Sequence, residues 1–259
     1  MSKKLALITG ASSGIGAELA REHAAAGGDL ILVARSREPM EKLAEELSQE
    51  HGTASTIIVK DLACCGAGEE LYADVKSKGF EIDYLINNAG FGGHGFFKDR
   101  TLEEDSGMIH LNIVTLMELT KMFLPDMLAR DSGRILNVGS VAGFMPGPLQ
   151  AVYYATKAFV NSFTEALANE LEGTNVTATV LCPGLTDSGF MARGGLEGVA
   201  ALKMPLATSE DVAKYGYKAL VDGDRVAVHG MSNKVLVNFG LPLFPRNLVL
   251  KISRAMMEK

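Results

Sequence analysis

Tyr153 and Lys157 stand four residues apart in the stretch Ala151–Glu172. That stretch has the period of an amphipathic helix, so the two side chains share one helix face. A phenol beside an ammonium is an acid–base pair. A free phenol titrates near 10, so proton transfer near neutral pH needs a drop of roughly 3 units, or about 4 kcal/mol. A cation about 4 Å away at an effective dielectric near 20 supplies about that much. Tyr154 is the competing phenol, three residues before Lys157, and spacing alone does not choose between them. Ser140 closes the apolar segment Arg134–Ser140. Parallel strands deliver such end residues to one edge of a sheet, where α/β proteins bind ligands.

These groups need a scaffold, and the chain's hydrophobic pattern supplies one. Short, nearly continuous apolar runs read as strands at Leu5–Gly10, Leu30–Ala34, Ser55–Lys60, Asp83–Asn87, Arg134–Ser140, Val176–Cys182 and Arg225–His229. Runs of that kind belong to a parallel sheet covered on both faces. Amphipathic segments alternate with them at Gly14–Ala26, Arg37–Glu50, Glu103–Ala129, Ala151–Glu172 and Ser209–Val221. Thr101-Leu102-Glu103-Glu104 has capping-box spacing and marks one helix start. The alternation predicts a single α/β domain over 1–259, a doubly wound parallel sheet of about seven strands with helices on both faces.

The first strand runs into Gly10-Ala11-Ser12-Ser13-Gly14-Ile15-Gly16 and then a helix. Glycines at such a junction let the backbone approach a pyrophosphate, and the helix start offers free N–H groups to the anion. About 20 residues on, dinucleotide folds that take NAD place a carboxylate against the ribose 2′-hydroxyl. Here the second strand ends at Arg35, with Arg37 nearby. A guanidinium fork grips a 2′-phosphate, whereas a carboxylate repels it. The expected cofactor is therefore NADP(H) in preference to NAD(H).

Composition excludes several classes. With 31 acidic and 25 basic residues the formal charge is −6, which argues against nucleic acid as a partner. Three cysteines, Cys64, Cys65 and Cys182, make no disulfide framework and point to a reducing, cytoplasmic setting. No Cys/His cluster has metal-ligand spacing, so no metal is expected. The opening apolar run, Leu5–Ile8, is too short for a signal peptide.

The combined pattern resembles the short-chain dehydrogenases/reductases in their ordinary single-domain form. The residues that carry it are Thr9–Gly16, Asp61-Leu62, Asn87-Asn88-Ala89-Gly90, Asn112, Ser140, Tyr153-x-x-x-Lys157 and Pro183-Gly184, in family order over about Lys3 to Val228. The family's YxxxK register selects Tyr153 over Tyr154. The resemblance implies a Rossmann-type sheet and hydride transfer between nicotinamide and a carbonyl or alcohol. In it Tyr153 acts as general acid or base, and Ser140 hydrogen-bonds the reacting oxygen. Lys157 lowers the Tyr153 pKa and holds the nicotinamide ribose, while Asn112 holds a water of a proton relay. Gly10, Ser12, Ser13, Gly14, Ile15 and Gly16 form the phosphate loop. Asp61 and Leu62 meet the adenine, and Asn88, Ala89 and Gly90 line its ribose side. Pro183, Gly184 and Thr186 meet the nicotinamide end, and Asn87 clamps strands together.

For the substrate side, the segment 185–205 is expected to act as a lid carrying Phe190, Met191, Leu196, Leu202 and Met204. Phe91, His94, Phe144, Met145 and Pro146 are expected to face the same pocket, which then suits a mostly apolar carbonyl or alcohol. Relatives that reduce acyl-carrier-protein thioesters often end soon after the last strand. Here Val228-His229-Gly230 continues into an apolar and basic segment, 231–259. It is expected to pack on the domain or on a partner subunit; the alternative is an interfacial membrane helix, which Pro242 and Pro245 would limit to about a dozen residues. The resemblance also implies a homodimer or homotetramer. Two rival readings are a non-catalytic NADP-binding sensor on the same fold and a membrane-surface reductase of lipid or steroid carbonyls.

Overall fold

The computed structural model describes residues 3–203 and 205–259; Met204, expected in the lid, lies outside the described residues. Seven strands form one sheet: β1 (Leu5–Thr9), β2 (Asp29–Ala34), β3 (Ser55–Val59), β4 (Tyr84–Asn87), β5 (Gly133–Val138), β6 (Val176–Cys182) and β7 (Val226–Val228). Their spatial order is β3-β2-β1-β4-β5-β6-β7, and every pairing is parallel. Seven predicted strands, the parallel sense and the covering helices are all present.

The strands read as continuous apolar runs because both faces are buried. Ala6, Ile8, Leu30 and Leu32 point toward helices α1 (Gly14–Ala25), α2 (Arg37–His51) and α6 (Ser209–Asp222). Leu7, Ile31, Val33 and Ile135 point the other way, toward α3 (Ala67–Ser77), α4 (102–129) and α5 (Ala151–Glu170). The order of strands reverses between β1 and β4. The loops after these two strands therefore diverge and leave a crevice at the carboxyl edge of the sheet.

Three local features bear on that crevice. Helix α4 starts one residue earlier than its apolar pattern suggests, at Leu102, with the predicted capping box: Glu104 N donates to Thr101 Oγ1 at 3.2 Å and Thr101 N to Glu104 Oε2 at 3.1 Å. It then opens into a π-helical segment at His110–Thr115 before continuing as Leu116–Ala129. Such segments cluster at functional sites. Asn87, on β4, donates to Asn137 Oδ1 on β5 at 2.9 Å and to Thr120 Oγ1 on α4 at 3.1 Å, and Asn137 donates to Thr164 Oγ1 on α5 at 2.9 Å. This fully buried chain sets β4, β5 and both helices in one register.

The segment after β7 packs on its own domain. Residues 231–243 are helical, and Pro245 precedes a last helix, α7 (Arg246–Met257), of 12 residues. Met257 packs with Leu196 and Val199 of the 185–205 segment. Among the described residues no helix is long and apolar enough to cross a membrane.

Candidate active site

One face of α5 builds the site. Tyr153, Lys157, Asn161 and Thr164 follow at steps of four, four and three, and all four are buried. Lys157 Nζ donates to the carbonyl of Val138, the last residue of β5, at 2.7 Å. One turn on, Asn161 Nδ2 donates to Ser140 O at 3.0 Å, and its Oδ1 accepts from Ser140 N at 3.4 Å. Ser140 is thereby held at the strand end with extended backbone, its Oγ accepting from Ala142 N at 3.1 Å and donating to Pro183 O at 3.4 Å. The Tyr153 ring lies 5.3 Å from that of Phe190, and Lys157 Nζ sits 6.0 Å from the Tyr153 ring centre.

The two phenols separate by their neighbours. Tyr153 stands beside the Ser140 hydroxyl, which draws its pKa down, while burial pushes it up more strongly. Tyr154 is also pushed up by burial, and its neighbouring hydroxyl is Ser253 of α7. Tyr153 is thus the phenol grouped with both Ser140 and Lys157.

The sign of the Tyr153 shift corrects the expectation drawn from spacing. Burial outweighs any pull from the lysine, so the phenol is held above its ordinary value and stays protonated near neutral pH. The reason is visible at Lys157. Its Nζ is turned to the Val138 carbonyl, and burial pushes the ammonium itself down to about 8, with Cys182 opposing. Cys182 is in turn pushed up to about 12 by burial, so it remains a neutral thiol.

A cleft of about 620 Å³ runs from this group along the carboxyl edge of the sheet. Gly10, Ser12, Ser13, Gly14 and Ile15 line it, as do Arg35, Asp61, Leu62, Asn88, Ala89, Gly90, Pro183, Gly184 and Thr186. At its other end Phe91, Ser140, Met145, Tyr153, Lys157, Phe190 and Met191 line it as well. The phosphate loop has the form an anion needs. Gly10 and Gly14 hold φ of +68° and +56°, which favours glycine, and Ser13 does not cap α1 with its side chain, so the first N–H groups of the helix remain available. Gly16 lies under the loop rather than on the cleft, where a Cβ would strike Gly10 O. Arg35 is two-thirds exposed at the cleft's rim, 3.9 Å from Asp61 Oδ2, while Arg37 pairs with Glu41 outside it.

Three of the expected residues are tied to protein groups by their side chains. His94 does not reach the pocket; its Nε2 meets the Met257 carbonyl at 2.7 Å and ties the loop after β4 to α7. The Asn112 side chain bonds Phe91 O, Phe91 N and Thr156 Oγ1 at 3.0, 3.2 and 3.0 Å and so braces the π-helical segment against α5. Asn88 lines the cleft, but its Nδ2 binds Thr9 O and Gly10 O at 3.0 and 3.3 Å and steadies the phosphate loop. Thr9 completes that brace by accepting from Asn88 N and Ala89 N, each at 3.0 Å.

Sequence reading also missed residues that the structure brings in. Asn161 was detectable as the next polar position on the Tyr153–Lys157 face. Gln150, Phe244, Val249, Ile252, Ser253 and Met256 line the cleft as well. For those on the 231–259 segment only the folded path of the chain reveals the contact.

The family model of short chain dehydrogenases matches residues 4–195. A very-long-chain 3-oxoacyl-CoA reductase from Anas platyrhynchos is 34% identical over 187 residues, 69% of this chain and 58% of that relative's length. A short-chain dehydrogenase from Sphingobium yanoikuyae, solved in complex with NADPH, is 30% identical with a TM-score of 0.82, each chain covered to 90%. A 7β-hydroxysteroid dehydrogenase structure is 26% identical with a TM-score of 0.86, each chain covered to 96%. The chain belongs to the short-chain dehydrogenase/reductase family, a family of nicotinamide-dependent oxidoreductases.

Asn161 holds Ser140 and also accepts from the Cys182 thiol at 3.5 Å. Replacing it, Asn161→Ala, is expected to lower kcat about ten- to a hundredfold while leaving the affinity for the reduced nicotinamide dinucleotide, read by fluorescence titration, within about twofold of wild type. The stability loss is expected to be about 1–3 kcal/mol, as the Ser140 backbone loses its buried partner.

Proposed function

We propose that this short-chain dehydrogenase reduces the carbonyl of a mostly apolar small molecule with NADPH, or oxidises the matching alcohol with NADP⁺, Tyr153 serving as general acid or base. The observation that carries this reading is one cleft with two ends. At one end Ser140, Tyr153 and Lys157 converge, and at the other a phosphate loop and Arg35 face each other. A relative solved with NADPH bound and relatives named for oxoacyl and steroid substrates support the same reading.

A nicotinamide held in this cleft would supply the hydride. The protein's part is to place and protonate. The Ser140 hydroxyl, set by Asn161, positions the carbonyl oxygen. Tyr153, whose raised pKa keeps its proton in place, donates to that oxygen as negative charge builds on it. Donation leaves Tyr153 a phenolate, which takes a proton from solvent before the next turnover; in the reverse direction that phenolate accepts the alcohol's proton, so the raised pKa favours reduction near neutral pH. Lys157 keeps two of its three donors for the cleft beyond the one given to Val138, enough to hold ribose hydroxyls. Arg35 grips the 2′-phosphate from the rim, where its side chain is free to turn away from the long contact with Asp61. Phe91, Met145, Phe190 and Met191 give the substrate end its apolar walls. A homodimer or homotetramer through α4 and α5 is supported by Ile109, Met117 and Phe159, which those helices expose.

Two expected outcomes follow. NADPH oxidation across a panel of aliphatic, aryl and cyclic ketones is expected for the wild type, with kcat falling about 10²- to 10⁴-fold in Tyr153→Phe; equal rates on every reduced ketone would remove Tyr153 from the chemistry. For Arg35→Ala the ratio of kcat/KM with NADPH to that with NADH is expected to fall at least about tenfold, the loss of one charge-assisted fork. An unchanged ratio would reject the 2′-phosphate role.

A further inference from the structure

Two buried polar groups in the cleft lack a full set of partners. Among the described residues, Gln150 Nε2 is a buried side-chain atom with no hydrogen-bond partner, Ser253 Oγ has only the Tyr154 phenol beside it, and both residues line the cleft. Gln150 is 3% exposed and Ser253 2%. An unpaired buried polar atom costs free energy comparable to a lost hydrogen bond, so such groups call for a use. The other unpaired atoms belong to Thr53, Ser55, Asn87, His110 and Thr179, and these residues do not line the cleft.

Their setting is built with care. Gln150 directly precedes α5, three residues before Tyr153, and its carbonyl accepts from Tyr154 N at 3.0 Å. Its side chain does not cap the helix, so the amide is not spent there. The residue before it, Leu149, holds φ of +67°, a left-handed conformation costly for a branched side chain. Leu149 is kept there by packing with the cluster of Leu196, Val199 and Met257 and by Gly95 N, which donates to its carbonyl at 2.8 Å. Backbone strain next to an unpaired amide, at the mouth of a catalytic helix, marks a position fixed for something other than stability. Ser253 comes from α7, beside Tyr154, and α7 is itself tied down where the Met257 carbonyl meets His94.

We propose that Gln150 and Ser253 form a polar subsite for a second oxygen of the substrate, separate from the carbonyl at Ser140 and Tyr153. The two groups are neutral. The charged side chains lining the cleft are Arg35, Lys60, Asp61 and Lys157, which the cofactor reading places along the nucleotide or at the reaction centre. A neutral oxygen fits best: an ester, ketone or hydroxyl on an apolar frame. An amide that donates and a hydroxyl that does either can bind a carbonyl or a hydroxyl oxygen. The substrate class is thus an apolar ketone carrying a second oxygen function, which deepens and rests on the reductase reading.

The test compares methyl ketones with oxo esters of matched carbon skeleton, the ester set two to five carbons from the ketone. At least one oxo ester is expected to exceed its plain ketone in kcat/KM with the wild type. That advantage is expected to fall about tenfold in Gln150→Leu, which leaves an apolar side chain of similar size, and to fall in Ser253→Ala as well. Melting curves verify that both variants fold, and Ser253→Ala stands alone if Gln150→Leu does not. No ester advantage at any spacing, or an advantage that both variants keep, overturns the subsite. If the wild type reduces no carbonyl at all, the reductase reading fails on its own. The rise in Tm produced by the same oxo esters, compared between wild type and the two variants, then still decides the subsite: a rise lost in the variants supports it, and an equal or absent rise overturns it.

Discussion

The hydrogen bond from Lys157 to the Val138 carbonyl is the contact on which the site depends. An ammonium is costly to bury, and among the described residues no carboxylate pairs with this one: the ionisable groups near it are Cys182 and Tyr153, both kept neutral by burial. The protein instead gives the ammonium a strand-end carbonyl and lets its pKa sink to about 8. That choice fixes how α5 lies on β5. One helical turn before Lys157 comes Tyr153, and one turn after it comes Asn161. The same register that seats the lysine therefore sets the phenol over the cleft and the amide under Ser140. Further along, the Asn137–Thr164 bond locks the helix at a second point. The acid, the hydroxyl and the cation are not three independent placements. They are consequences of one helix-on-strand register.

The opposite end of the cleft follows from topology rather than side-chain chemistry. Because strand order reverses between β1 and β4, the loops after these strands part, and the glycine-rich turn and the Asn88–Gly90 turn face each other. Thr9 and Asn88 stitch the two loops together with four hydrogen bonds of 3.0 to 3.3 Å. The glycine-rich turn and the buried Tyr153 phenol then sit on one sheet edge. They are covered by residues around Leu196 and Val199 and by α7, which pack on each other through Leu196, Val199 and Met257.

Much of this frame was legible in the sequence, for physical reasons. Strands buried on both faces leave uninterrupted apolar runs, so all seven were found to within a residue or two. Tyr153 and Lys157 were legible because helical spacing is local. Helix α3 was passed over although Ala67, Leu71 and Val75 repeat every four residues and are buried, because the turn before it, with Gly66 at φ +78°, interrupts the pattern. The direction of the Tyr153 shift was misjudged because spacing reports how near a charge can come, while burial, which decides the sign, depends on the whole surrounding shell. Nothing local to His94 signals that α7, some 160 residues away in the chain, supplies the carbonyl that binds it. The unpaired Gln150 amide was invisible for the same reason: lacking a partner is a property of the fold.

Lys157 is a buried ammonium pinned to β5, and its ionisation tests that placement most directly. Titrating protein with ¹⁵N-labelled lysine side chains by NMR, with the Lys157 signal assigned by its loss in Lys157→Arg, measures the group itself. A midpoint near 8 is predicted, well under the ordinary 10.5. A midpoint at the ordinary value would put Nζ in water, detach α5 from Val138, and contradict the placement of Tyr153 and Ser140 together with it.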